Sequence, residues 1–171
     1  GGDVLLKNTE PSHMRLMLSM LRDAGCRVSC NDDSVRIRAC DRLRGLGKII
    51  TAPYPGFPTD AQAPFMSALC TADGTTVFVE NIFESRYKHV SELVRMGADI
   101  IVDGRLAVIT GCNYIQGARV CASDLRGGAA LVIAGLAAQG ETQVMHPQYI
   151  DRGYAYFEEN LRALGADVYR I

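Results

Sequence analysis

One segment of this chain occurs three times. Leu21-Arg-Asp-Ala-Gly25-Cys-Arg-Val28, Leu93-Val-Arg-Met-Gly97-Ala-Asp-Ile100 and Leu161-Arg-Ala-Leu-Gly165-Ala-Asp-Val168 share one grammar. Each reads as the end of an amphipathic helix, a glycine that stops it, and the start of an apolar strand. The three glycines lie about 70 residues apart, a period that marks one supersecondary unit used several times. Functional residues are then expected where the copies differ, between these scaffold segments.

A second repeat interleaves with the first. Thr59-Asp60 opens a helical stretch that closes on Gly74 before the apolar run Thr75–Val79, and Ser123-Asp124 opens one that closes on Gly140 before Glu141–Met145. Thr/Ser-Asp is a good N-cap start, and glycine a good stop. The unit is strand, helix, strand, helix, strand, strand. The first copy lacks its opening strand and helix, and the third stops early, at Tyr169-Arg-Ile171.

This grammar predicts the individual elements. Val4–Lys7 is a strand, and Pro11-Ser12 open a helix. Residues 26–30 and 35–37 form a hairpin, and Lys48–Ala52 is a strand running into the stiff loop Pro53-Tyr-Pro-Gly-Phe-Pro58. Helices at 60–73 and 89–96 alternate with strands at 75–80, 99–102 and 107–110. Strand 118–122, helix 124–138, strand 142–146 and helix 154–164 complete the chain. Ala129–Ala138 is apolar on every side, so that helix is expected to be buried all round. Helices should therefore lie inside, wrapped by sheets, the reverse of the usual doubly wound arrangement.

Composition narrows the function. With 171 residues, one domain is expected, and 48% hydrophobic residues exclude disorder. A net charge of -1 gives no basic footprint for nucleic acid or an anionic membrane. The longest apolar run falls far short of the roughly 20 residues that span a bilayer. The opening Gly1-Gly-Asp-Val-Leu5, with no basic run and no Met, reads as a strand met part-way through a longer protein. Six cysteines and three histidines show no zinc-ligand spacing. Cys26 and Cys30 would face the same way on one strand about 13 Å apart, too far to share a metal. Reduced, buried thiols in a cytoplasmic protein are the expectation.

Three loop segments carry polar residues the scaffold does not need. Pro55-Gly-Phe-Pro-Thr-Asp60 presents a carboxylate that either caps its helix or serves as a fixed general base. Glu80-Asn-Ile-Phe-Glu-Ser-Arg86 sets Ile82 and Phe83 beside an arginine, as a staple for the next helix or a wall for a ligand. Asp124-Leu-Arg126 and Asp151-Arg-Gly-Tyr154 each place an arginine near a helix N-terminus, a ready site for an anionic substrate.

Ala52–Asp60, Ile82–Arg86, Ser123–Arg126 and Asp151–Tyr154 together resemble the UDP-N-acetylglucosamine 1-carboxyvinyltransferase family, in motif order and over the whole chain. The resemblance implies an α/β fold, an inside-out barrel of β-α-β-α-β-β units with helices in the core and sheets outside. It also implies that residues 1–171 are most of the C-terminal domain of a two-domain enzyme, without the N-terminal domain. The implied reaction moves the enolpyruvyl group of phosphoenolpyruvate to the 3-hydroxyl of UDP-N-acetylglucosamine and releases phosphate. That is the first committed step of peptidoglycan synthesis, and so of cell wall biogenesis, shape and division, in the cytoplasm. Asp60 matches the proposed general base. Ile82 matches a residue whose backbone contacts the UDP-sugar. Arg86, Arg126 and Arg152 match the cationic wall around phosphoenolpyruvate, with Asp124 beside it. Asp60 and Arg152 are the implied catalytic pair. No cofactor and no metal are implied. The family's loop acid (cysteine or aspartate) and its phosphoenolpyruvate-binding lysine belong to the other domain, and none of the six cysteines here matches the former. A non-catalytic ligand-binding or interaction module on the same scaffold is the alternative.

Overall fold

All five predicted stop glycines sit in the left-handed region. Gly25, Gly97 and Gly165 have φ of 105°, 91° and 94°, and Gly74 and Gly140 have 100° and 87°. Any side chain there would be strained. Gly25, Gly97 and Gly165 directly follow the C-caps of their helices, as expected. Gly74 and Gly140 only turn the chain toward its next segment, because the helix that opens at Thr59 ends at Leu69 rather than at residue 73, and the one that opens at Leu125 ends at Ala137. Residues 2–171 are described by the computed structural model of the chain, and Gly1 lies outside the described residues.

The first copy is β1 (Asp3–Lys7), α1 (Arg15–Asp23), β2 (Arg27–Cys30) and β3 (Ser34–Arg38). The second is complete: β4 (Gly47–Ile50), α2 (Thr59–Leu69), β5 (Thr75–Val79), α3 (Val90–Arg95), β6 (Asp99–Asp103) and β7 (Leu106–Thr110). The third runs β8 (Arg119–Cys121), α4 (Leu125–Ala137), β9 (Gln143–Met145), α5 (Gln148–Asp151) and α6 (Phe157–Ala163). Each copy owns a sheet: the antiparallel β1-β3-β2, the mixed β4-β5-β7-β6 and the parallel pair β8-β9.

Helices α2 and α4 pack on each other more extensively than any other two elements. They run in the same direction, because Asp60 and Arg126 meet at their N-terminal ends and the Ser67 hydroxyl donates to the Ala130 carbonyl at 2.5 Å further along. Between them and the second sheet lie Phe57, Met66, Phe78, Leu93, Ile109 and Leu131, each at most 1% exposed. This is the inside-out arrangement: helices within, sheets outside.

The segments joining the copies make the same two stitches. Arg44 and Gln116 donate backbone N–H groups to Ala24 and Met96, at the end of one helix. Gly45 and Gly117 donate to Asp73 and Gln139, at the end of the other. Arg42 adds a side-chain staple across copies, donating to the carbonyls of Thr71, Ala72 and Cys112 and to the Asn113 amide oxygen.

Five further expectations need correction. Ala166–Val168, read as the start of an apolar strand after Gly165, forms no strand. α4 is enclosed only over its first half; Val132 and Ile133 are half-buried and Leu136 is 46% exposed. The cause is the sheet beside it, two strands in the third copy where the second copy has four. The last helix starts at Phe157 rather than 154, and a short helix, α5, precedes it. Arg152 therefore caps a helix C-terminus instead of standing near an N-terminus. Of the six free thiols only Cys26 and Cys70 are buried, while Cys30 and Cys121, at strand ends, are exposed.

Candidate functional site

Asp60 is the second residue of α2, and two of the three arginines that the motifs singled out converge on it. Arg86 donates to one carboxylate oxygen at 2.7 Å and Arg126 to the other at 2.8 Å. The guanidinium groups are largely covered, but the Asp60 side chain is 57% exposed, so the group faces outward as a unit. The hydrogen bond from Arg126, with the positive charge of both arginines behind it, holds the Asp60 carboxyl below the usual carboxylate range. The same contact raises the Arg126 guanidinium.

Asp60 does not cap its helix. The N-cap of α2 is Pro58, whose fixed φ suits the turn, and its side chain makes no capping bond. Pro64, inside the helix, has no N–H to give the Asp60 carbonyl. Asp124 does cap: it is the N-cap of α4 and accepts from the Gly127 N–H at 2.8 Å. That bond fixes the first turn of α4, where Arg126 stands.

Arg126 is further held by Tyr154, to whose hydroxyl it donates at 2.9 Å and over whose ring it lies at 5.4 Å. Gly153 lets this segment lie against α4, since a Cβ there would come within 2.8 Å of the Leu125 side chain. The Asp151–Tyr154 motif is thus brought to the start of α4. Within it, Asp151 is occupied by Arg170 at 2.8 Å, and Arg152 is exposed with no ion pair among the described residues. Arg86 lies over the Phe83 ring at 5.2 Å, and its Nε is buried without a partner among the described residues.

Ile82 is 39% exposed beside this group, and its backbone N–H is already taken, by Glu80 at 2.8 Å. A backbone contact from Ile82 to a ligand is left to its carbonyl.

Two residues escaped the sequence reading. Glu80, 1% exposed, accepts from the hydroxyls of Thr51 and Thr59, each at 2.9 Å, and from the N–H groups of Ile82 and Phe83 at 2.8 and 3.1 Å. One carboxyl group thereby ties the end of β4, the start of α2 and the Ile82–Arg86 loop. The signal was a glutamate ending an apolar strand. His89, 1% exposed, abuts the first turn of α4, where a Cβ on Gly127 would lie 3.0 Å from its own. Neither ring nitrogen has a partner among the described residues, and burial pushes the imidazole down to about 4 despite nearby Asp124.

No group of three or more His, Cys, Asp or Glu side chains that could hold a metal occurs among the described residues. The arrangement offers one carboxylate matched by two guanidinium groups, with a third guanidinium on a neighbouring turn. Positive charge exceeds negative once Asp124 and Asp151 are spent on a cap and an ion pair. An anionic ligand can be bound here, and a proton taken up.

Comparison with known proteins shows the family and the fold. The profile described as EPSP synthase (3-phosphoshikimate 1-carboxyvinyltransferase) matches residues 1–161. A UDP-N-acetylglucosamine 1-carboxyvinyltransferase from Desulfofundulus thermocisternus is 54% identical over 99% of this chain, which spans 69% of that protein. The one from Zymomonas mobilis is 52% identical over the whole chain, which spans only 40% of it. Among solved structures, the enolpyruvyl transferase NikO from Streptomyces tendae superposes with a TM-score of 0.85 at 26% identity, covering 97% of this chain and 39% of its own. EPSP synthase from Acinetobacter baumannii shares the fold, with a TM-score of 0.69 at 20% identity over 99% of this chain and 40% of its own.

Proposed function

This chain belongs to the EPSP synthase family, on its UDP-N-acetylglucosamine 1-carboxyvinyltransferase branch, and we propose that it supplies one of the two domains of an enzyme making that transfer. The proposed substrates are UDP-N-acetylglucosamine and phosphoenolpyruvate. The 3-hydroxyl oxygen of the sugar bonds to C2 of the enolpyruvyl group as its proton passes to Asp60 and C3 gains a proton from an acid on the other domain. The tetrahedral product then loses a proton from C3, its C2–O bond to phosphate breaks with the pair leaving on oxygen, and phosphate departs. The same reading assigns the step to peptidoglycan synthesis in the cytoplasm; separately, no helix among the described residues is long and apolar enough to cross a membrane.

The observation that carries this reading is the Asp60–Arg86–Arg126 group, exposed at the N-termini of two parallel helices. Phosphate and carboxylate charge on the substrate calls for fixed cations, and guanidinium forks with helix N-termini provide them. Asp60 with a lowered pKa is a weak base. It gains basicity when the anionic substrate draws Arg126 to itself, which couples base strength to substrate binding. Arg152, on the turn beside Tyr154, adds a third cation, and the carbonyl of Ile82, a residue 39% exposed, is left to position the nucleotide sugar.

The test is Asp60→Asn in the full-length polypeptide. Turnover should fall by about 10²–10⁴-fold, since general-base catalysis is worth that much. The melting temperature should hold, because the Asn side chain replaces no cap. Normal turnover with a lowered melting temperature would make Asp60 a scaffold residue and overturn the assignment.

A further inference from the structure

The outer face of the second sheet is apolar over most of two rows, beside a polar row of Thr75, Thr110 and Asp99, and its charges are arranged as one half of a pair. Alternation along the strands sends Ile49, Phe78, Ala107 and Ile109 inward to the core. The register then places Lys48, Val77, Val108 and Ile101 side by side in one outward row. The next row is Ile50, Val79, Leu106 and Asp103. Ile101 is 68% exposed, Ile50 43% and Leu106 42%. An antiparallel face that meets water carries polar residues. The first sheet obeys this rule: its outer rows hold Arg27, Arg38 and Asp3, with Arg36 and Arg38 both bonded to Asp3. The second sheet breaks it.

The charges on that face sit on opposite edges. Lys48 is on β4, one edge strand; Asp99 and Asp103 flank Ile101 on β6, the other. None of the three has an ion-pair partner among the described residues. A two-fold axis along the strands, midway between β5 and β7, lays β6 of one molecule over β4 of another. It keeps the rows in step, so Val77 meets Val108 and Lys48 lands opposite Ile101, between the two aspartates. Both contacts occur twice, as an isologous interface requires.

We infer that this face binds a second copy of the chain, sheet against sheet. Packed sheets lie about 10 Å apart with their strands within about 30° of alignment, which this axis permits. One strand of four residues and three of five give a footprint of about 19 by 17 Å. That is well below the roughly 800 Å² per partner of a standard specific interface, so the dimer is a weak, rapidly reversible one. The inference stands apart from the transfer reaction, because no residue of the Asp60 group lies on this sheet face.

Sedimentation equilibrium on the full-length polypeptide, from low to high micromolar concentration, tests it. The parent protein should pass from monomer to dimer as concentration rises. Ile101→Glu, at an exposed position where folding is unaffected, should abolish the dimer. Lys48→Glu should weaken it by about tenfold or more, and adding Asp99→Lys and Asp103→Lys should restore it, as exchange of paired charges does. A parent protein that stays monomeric throughout would overturn the inference, including by another part of the polypeptide covering the face. A dimer indifferent to Ile101→Glu, or a charge exchange that fails to restore association, would overturn it equally.

Discussion

Glu80 brings four donors to one buried carboxyl group, and they come from segments 21 to 29 positions away as well as from the next two residues. Glu80→Ala leaves the Thr59 hydroxyl and two N–H groups without their partner, and the Thr51 hydroxyl with only its longer bond to the Val79 carbonyl at 3.4 Å. Unmade buried hydrogen bonds cost about 1–3 kcal/mol each before relaxation and water offset part of it, so a net loss of about 2–4 kcal/mol is expected in urea unfolding. His89 makes a different expectation. Its imidazole sits at about 4 when folded and near 6.5 when free, so the unfolded chain binds the extra proton. Its contribution is fully present above pH 6.5 and is lost as pH falls toward 4, by about 3 kcal/mol. Urea midpoints measured across that window should fall for the parent protein, and His89→Leu should flatten the slope. A slope unchanged in the variant would place the acid sensitivity elsewhere. Asp60, Arg86 and Arg126 were readable because each stands in a short motif of its own. Glu80 and His89 were not, because their roles depend on partners that only the fold brings near. The convergence of both arginines on one carboxylate was likewise hidden: Asp60 and Arg126 are 66 positions apart.

At the scale of elements, the repeat grammar carried most of the architecture. Stop glycines fix helix ends by backbone geometry alone, and Gly25, Gly97 and Gly165 do so here, whereas Gly74 and Gly140 stand beyond the helix ends and turn the chain into its next strand. The hairpins came from local pattern, and the burial of α2 from the apolar run Ala129–Ala138 of its partner helix. What pattern misjudged was α4, because how far an apolar helix is covered depends on how many strands its sheet has. The α5 turn was missed because four residues are too few to show a period. The joints between copies also left no pattern, since they use backbone groups. Gly117 passes so close to the Glu141 carbonyl that a Cβ would strike backbone, which cannot swing aside. Gly117→Ala should therefore cost at least about 3 kcal/mol in chemical denaturation, in the range of severe overpacking. Gly135 is the contrasting case. A Cβ there meets only the Thr142 side chain at 3.0 Å, and alanine is the better helix former by about 1 kcal/mol. Gly135→Ala should be neutral within about 1 kcal/mol.

Across the whole molecule, the parallel run of α2 and α4 separates two ends. Their C-terminal ends, after which Gly74 and Gly140 turn the chain, receive the connectors between copies. Their N-terminal ends carry Asp60, Asp124 and Arg126 and receive no connector among the described residues. Holding the shape and, on the proposed function, the chemistry are thus assigned to opposite poles of one body. A library of single substitutions, read once for abundance and once for turnover, should sort by pole. Changes around Gly45, Gly74, Gly117 and Gly140 should deplete the protein itself. Changes around Asp60, Arg86, Arg126 and Arg152 should leave it abundant and idle. A scaffold divided in this way can be re-equipped at one end while the other keeps it standing, so a new acceptor can be reached by steps that never pass through an unfolded ancestor.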